Sequence, residues 1–296
     1  MNAWIQFWCL ALIWGSSFLL MKFALQQVGP LWLSSVRILF AAVIFVVYLL
    51  WSRRPMPRTR TEWFWLAFVG VVNTTIPFAL VAWGVQYVDT GLSTLLMATV
   101  PFLSLTLAHF TLHDERLNVV KGVGLLMGFV GVGLLATRVW GGRANALAGV
   151  LAMLASTLCY AVCLVAIRRF LREVQPLVIA GVSISFGALA CLPLLFVVSW
   201  PVFSEFNTTT WLSTLSLGTV HTGVAYFLFY NLVGVWGPRA SLVTYAMPPI
   251  GVILGVVVLG ETMDWRLVVG GAVILGGIVL ARSGRWPWQK EATQVG

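Results

Sequence analysis

The stretch YAMPPIGVILGVVVLGE, Tyr245 to Glu261, decides the fold. It is apolar almost throughout, carries Pro248-Pro249 near its start and stops at a carboxylate. Subtracting 146 from each number gives Thr99 to Glu115, TVPFLSLTLAHFTLHDE, again apolar, with Pro101 near its start and a glutamate at its end. The same offset carries Pro30 onto Pro176, Lys22 onto Arg168, Gly91 onto Gly237, Gly124 onto Gly270 and Gly131 onto Gly277. Pro101 falls on Met247, beside Pro248, so a one-residue insertion or deletion lies nearby. A constant offset over most of the chain makes the protein two copies of one unit.

Composition says where the units reside. Of the 296 residues, 60% are hydrophobic and 9% charged, against roughly 45–50% and about 25% in soluble domains. The charges cluster between long apolar runs, as in a polytopic membrane protein. The net charge of +9 is dispersed through the loops, where topology accounts for it better than nucleic-acid binding does. Cys9, Cys159, Cys163 and Cys191 all fall inside apolar runs, so no disulfide framework is implied. Cys159 and Cys163 share a helix face, but two thiols alone make a poor metal site. The first apolar run lacks a basic leader and a small-residue cleavage site, and it has a counterpart in the second half. It reads as a retained helix.

A spanning helix needs about 20 mostly apolar residues. Ten such runs can be drawn, at 4–25, 31–51, 63–84, 91–112, 117–136, 147–167, 177–199, 211–233, 240–260 and 266–282. The expected fold is an all-α membrane protein with one five-helix repeat over 1–136 and a second over 147–282. The polar tail, 283–296, is expected to be cytoplasmic and disordered. With the N-terminus in the cytoplasm, that side receives Arg53, Arg54, Arg58, Arg60, Arg116, Lys121, Arg168, Arg169, Arg172, Arg239, Arg282, Arg285 and Lys290. The other side receives Lys22, Arg138, Arg143 and Arg266, and Arg37 stays inside the second helix. This bias puts both termini in the cytoplasm. Because five is odd, the second copy enters the membrane upside down. That inverted repeat is an arrangement by which transporters generate two pseudo-equivalent states.

The ordered set of features resembles the EamA branch of the drug/metabolite transporter superfamily. It comprises ten helices in a five-plus-five repeat, ALIWGSSF in the first helix, the proline-to-glutamate fourth and ninth helices, and the glycine-rich fifth and tenth. LHDERL, Leu112 to Leu117, looks like exporters of amino acids, including aromatic ones. The resemblance implies a multi-pass exporter of the bacterial inner membrane. It also implies a central cavity lined by helices 1, 3, 4, 6, 8 and 9.

Polar groups in hydrocarbon are costly and face a cavity or a partner. On that ground the substrate-binding candidates are Trp14, Ser17, Asn73, Phe78, Met97, Thr99, Tyr160, Cys163, His221, Tyr226 and Tyr245. The repeat offset pairs Trp14 with Tyr160, Ser17 with Cys163, Asn73 with Thr219 and Thr99 with Tyr245. The competing reading is that the hydroxyls bond back to their own helices and the aromatics are core. Pro77, Pro101, Pro248 and Pro249 free backbone carbonyls inside spanning helices and are candidate hinges. Static shaping of the helix accounts for them equally well. Glu115 and Glu261 end the fourth and ninth helices on opposite faces and are candidate gate residues. Arg37 either snorkels outward, meets a helix-end carbonyl or attracts an anionic group. The glycines of the fifth and tenth helices permit close approach, and these repeat mates are expected to pack together in one molecule, with dimerisation through the same faces as the alternative.

The leading function is secondary transport that exports small amphipathic metabolites, with amino acids as the best guess. No GxxxxGK[ST] loop is present, which argues against direct ATP drive. No cofactor or metal is expected. The expected partners are a small-molecule substrate and the lipid bilayer, with the protein a monomer or homodimer. The alternative is a membrane enzyme acting on lipid, its support being His109 and His113 at i, i+4 beside Asp114 and Glu115.

Overall fold

The computed structural model describes residues 2–111, 118–139 and 144–283. Among these the chain is helical. Nine helices are long and apolar enough to cross a membrane. They are α1 (Ala3–Ala24), α2 (Pro30–Ser52), α3 (Arg60–Val85), α4 (Thr90–Thr111), α5 (Val119–Ala136), α6 (Ala144–Phe170), α7 (Pro176–Val197), α8 (Thr208–Trp236) and α9 (Ala240–Leu259). The tenth expected run also folds as a helix, α10 (Trp265–Ser283), whose apolar length is shorter, Trp265–Ala281. Glu115 and His113 lie outside the described residues, as does the tail beyond Ser283.

The helix boundaries follow from local chemistry. Pro30 and Pro176 sit at the first position of α2 and α7, where a missing N–H costs nothing. Thr59 and Glu62 form a capping box that starts α3 three residues before the expected run. Asn118 and Asn207 cap α5 and α8 through their side chains. Gly260 closes α9 in a left-handed conformation, φ 65°. Large apolar side chains face outward, among them Leu50, Trp51, Phe196 and Val257. That belt suits lipid rather than water.

Two helices carry an irregularity at nearly the same place. In α3 the turn Val71–Thr75 is a π-helix, and in α8 the turn Thr219–Val224 is another. Asn73 and Thr219, one repeat apart, fall in these turns. A further break separates Met97 from Val100 within α4, just before Pro101. Pro248 and Pro249 instead sit inside a continuous helical segment, Val243–Leu259.

The packing has its own regularity. Helix α1 lies against α8 and α9, while α6 lies against α3 and α4. Helix α2 packs on α7 and α8, and α7 packs on α2 and α3. Helix α4 meets α9, and α5 meets α10. Exchanging the two halves of the chain leaves this set of principal neighbours unchanged. The α5–α10 seam is as expected. A Cβ on Gly124 would come within 2.5 Å of the Gly277 carbonyl oxygen, and one on Gly131 within 2.9 Å of the Gly270 carbonyl oxygen. Only glycine lets the two backbones approach so closely.

Candidate functional site

Between the halves lies a cavity of about 190 Å³. Helix α1 contributes Trp14, Ser17, Phe18 and Met21, a stripe at i, i+3, i+4 and i+7. Helix α6 contributes Tyr160, Leu164 and Ile167, the repeat counterparts of Trp14, Phe18 and Met21. Helix α3 adds Asn73, Phe78 and Val81, and α4 adds Met97 and Val100. Helix α8 adds Tyr226, Phe229 and Tyr230, and α9 adds Thr244 and Met247. Arg37 from α2 completes the wall.

Five of the wall's aromatic rings, Trp14, Phe78, Tyr226, Phe229 and Tyr230, form one connected group. Trp14 meets Tyr226 edge-on at 6.2 Å and Phe229 at 5.2 Å between centroids. Tyr226 lies 6.5 Å from Phe78 and 6.2 Å from Tyr230. Such rings supply large apolar area at low cost in rotamer freedom, and the tyrosines add hydroxyls.

Arg37 is the charged member, with 8% of its surface exposed. Its Nε donates to Thr222 Oγ1 at 2.6 Å, one terminal nitrogen reaches the His221 carbonyl oxygen at 3.5 Å, and the other faces Met21 Sδ at 3.7 Å. Its Cζ sits 4.5 Å above the centre of the Phe78 ring. All of these partners are uncharged. The π-turn in α8 brings the Thr222 hydroxyl and the His221 carbonyl to the same guanidinium.

Of the sequence-derived candidates, Trp14, Ser17, Asn73, Phe78, Met97, Tyr160 and Tyr226 come together on the cavity wall. Thr99, Cys163, His221 and Tyr245 are not on it. Thr99 Oγ1 donates to the Leu96 carbonyl at 2.7 Å, at the break in α4. Cys163 is fully buried among apolar side chains, and Tyr245 packs against the larger apolar cluster. His221 is held between α1 and α8. Its Nδ1 lies 3.1 Å from both the Ser216 carbonyl oxygen and the Ser216 hydroxyl. Its Nε2 faces Ser16 Oγ at 3.1 Å.

Sequence reasoning left out Phe18, Met21, Leu164, Ile167, Val81, Val100, Phe229 and Met247; it counted Tyr230 and Thr244 among the polar groups of their helices without choosing them as binding candidates, and it left Arg37 between an outward-snorkelling, a helix-end and an anion-attracting role. Carrying Trp14 forward at helical spacing reaches Phe18 and Met21, and the repeat offset then reaches Leu164 and Ile167. Tyr230 follows Tyr226 at i+4. Nothing in the sequence singles out Val81, Val100 or Met247.

A second polar cluster closes one end of the helices. Glu261 Oε1 accepts from the Thr90 N–H at 2.7 Å and Oε2 from the Gly91 N–H at 3.2 Å. A carboxylate from the end of α9 thus caps the start of α4, where the helix dipole favours it. Arg138, at the end of α5, bridges Asp89 at 3.3 Å and Asp264 at 3.2 Å and donates to the Thr262 carbonyl at 2.9 Å. Arg266 returns to the Thr137 carbonyl at 2.9 Å. Burial, then the nearby Glu261, raises Asp89 above the usual aspartate range, while Arg138 pulls it back.

Comparison with known proteins gives one consistent result. The EamA-like transporter family matches residues 2–137 and again 147–283. A WAT1-related chloroplastic protein of Arabidopsis thaliana is 26% identical over 90% of this chain and 66% of its own length. An uncharacterized transporter of Synechocystis is 25% identical, covering 90% of this chain and 86% of the relative. The uncharacterized transporter YoaV of Bacillus subtilis is 23% identical over 91% and 92%. A solved crystal structure at 24% identity superposes with a TM-score of 0.64 over 94% of this chain and 96% of that one, which shows a shared fold.

Proposed function

Because the chain belongs to the EamA-like transporter family, we propose that this multi-pass membrane protein is a secondary transporter exporting small amphipathic metabolites, amino acids first among them. The two halves act as five-helix repeats, 1–136 and 147–282, inserted with opposite orientation. Both termini face the cytoplasm of a bacterial inner membrane. Substrate is carried by alternating access through the cavity between the halves.

One observation supports this reading most. The cavity draws its wall from both halves, and the principal packing of its helices survives their exchange. A site at a repeat interface can pass from one side to the other by rocking one repeat against its mate. In the proposed orientation the Glu261 and Arg138 contacts lie on the extracytoplasmic side. They act as the gate that closes that end, with hinges at the α4 break before Pro101, at Pro77 and at Pro248-Pro249. An apolar, aromatic wall with scattered hydroxyls suits a substrate with an apolar body and few charges.

The test is flux. Purified protein in liposomes, loaded with unlabelled amino acid, is offered a panel of radiolabelled amino acids with and without a pH gradient. Protein-dependent counterflow of at least one is expected. Equal tracer entry in empty and protein-bearing vesicles across the panel would remove amino acids from the proposal. The pH arm reads out proton coupling.

A further inference from the structure

We infer that the cavity selects for a carboxylate, with Arg37 as its anion-binding residue, and that it disfavours amines; this deepens the transporter reading, rests on it, and ranks acids without an amine above the amino acids named there. A guanidinium has five N–H donors and no neutral form at physiological pH. On Arg37 one donor has a short bond, to the Thr222 hydroxyl. Two have only long contacts, to a carbonyl oxygen and a thioether. Neutral partners orient the group without cancelling its charge. Among the described residues no carboxylate comes within 4.0 Å of it, since the only ion pairs there are the two made by Arg138.

A buried cation is costly unless an anion or water shares the space. Ionisable residues inside a membrane mark substrate paths for that reason. Arg37 meets both conditions: it is buried, and it borders the central cavity, where an anion can reach it. Among the described residues no Asp or Glu lines that space, so an incoming ammonium finds a like charge there and no counter-charge. The remaining wall is apolar and aromatic, with Phe78 beneath the guanidinium at 4.5 Å. The fitting ligand is therefore a monocarboxylate with a ring-sized apolar body. A zwitterionic amino acid enters by its carboxylate and leaves its ammonium to neutral acceptors such as Asn73 and Thr244. It should bind less well than the same skeleton without the amine.

Calorimetry on the full chain in nanodiscs at pH 7.5 tests this with four probes: 3-phenylpropionate, L-phenylalanine, 3-phenylpropionamide and phenethylamine. The acid should bind tightest and its neutral amide about tenfold weaker. Phenylalanine should lie between them, and the amine should be weakest. Arg37→Gln should bring acid and amide within about twofold of each other. Arg37→Lys, which keeps the charge but loses the fork, should retain part of the preference. The wild-type series needs no variant and so is independent of whether either one folds. Amide or amine binding within twofold of the acid would overturn the inference, as would no binding by any probe or an unchanged acid-to-amide ratio in Arg37→Gln. Liposome flux separates the two claims. Transport of amide or amine as fast as acid overturns the inference and leaves the transporter standing. Probes that bind in the expected order but are never moved leave the inference standing and sink the transporter.

Discussion

The two halves of the chain share a scaffold but not a charge. Both have a proline at the start of their second helix, Pro30 and Pro176, and a π-turn in the third, Val71–Thr75 and Thr219–Val224. Yet Arg37 of α2 corresponds to Ser183 of α7. Arg37 bridges to Thr222 and lines the cavity, while Ser183 bonds back to the Ile179 carbonyl of its own helix at 2.5 Å. Across the other π-turn, Thr75 donates to the Gly187 carbonyl at 3.0 Å, a neutral bond. Duplication therefore supplies the frame, and divergence at one pair of positions supplies the electrostatics. A symmetric cavity would carry two such cations or none. Among the described residues this one is lined by a single charge, that of Arg37.

The seam where the halves meet backbone to backbone should be least forgiving. Gly124→Leu forces a side chain into the Gly277 and Ala281 backbone and should cost about 3 kcal/mol or more. Gly122→Ala, with open space around its Cβ, should leave thermal unfolding in detergent unchanged. Next comes the pair of π-turn hydroxyls. Thr222→Val removes the strongest partner of a buried cation and should cost about 1.5–3 kcal/mol, against about 0.5–1.5 for Thr75→Val. Equal losses would break the asymmetry described above.

Cavity wall and core separate more gently. Trp14→Leu should raise the half-saturation constant for transport roughly threefold to tenfold, since an aromatic contact is worth ~0.5–1.5 kcal/mol beyond area. Tyr245→Leu should leave that constant alone and lower stability instead.

Smallest is Asp89, whose carboxylate is 47% exposed in its pairing with Arg138. Asp89→Asn should shift stability by less than about 1 kcal/mol. The sign depends on pH. A raised carboxyl pKa means the fold disfavours the ionised form, so the variant should be no less stable than the parent at neutral pH. Its advantage should fade as pH falls and the parent's Asp89 takes up a proton. Melting curves of both proteins across that range check it.

Most of the architecture was legible in the sequence because membrane helices write themselves as long apolar runs and the repeat writes itself twice. The α5–α10 seam followed from the repeat, which makes the two helices mates, and from their glycines. What was not legible is which face of each helix turns inward. An apolar helix in lipid has no polar side to reveal its orientation, so Tyr245 and Cys163 were as plausible as Tyr226 and Tyr160. The π-turns add a residue to the helical count, which put His221 beside Arg37 through its backbone rather than in the cavity through its ring. Arg37 itself was visible as an anomaly, but only the packing of α2 against α8 shows that it reaches the central space.

The central claim is that two similarly folded halves lie in opposite orientation around one cavity. Reporter fusions test it without knowledge of the substrate. Fusions after Arg60 and after Arg172 should both read cytoplasmic, and a fusion after Asn207 should read extracytoplasmic. If the Arg60 and Arg172 fusions report opposite sides, or Asn207 reports the cytoplasm, the halves are not inverted and the account fails.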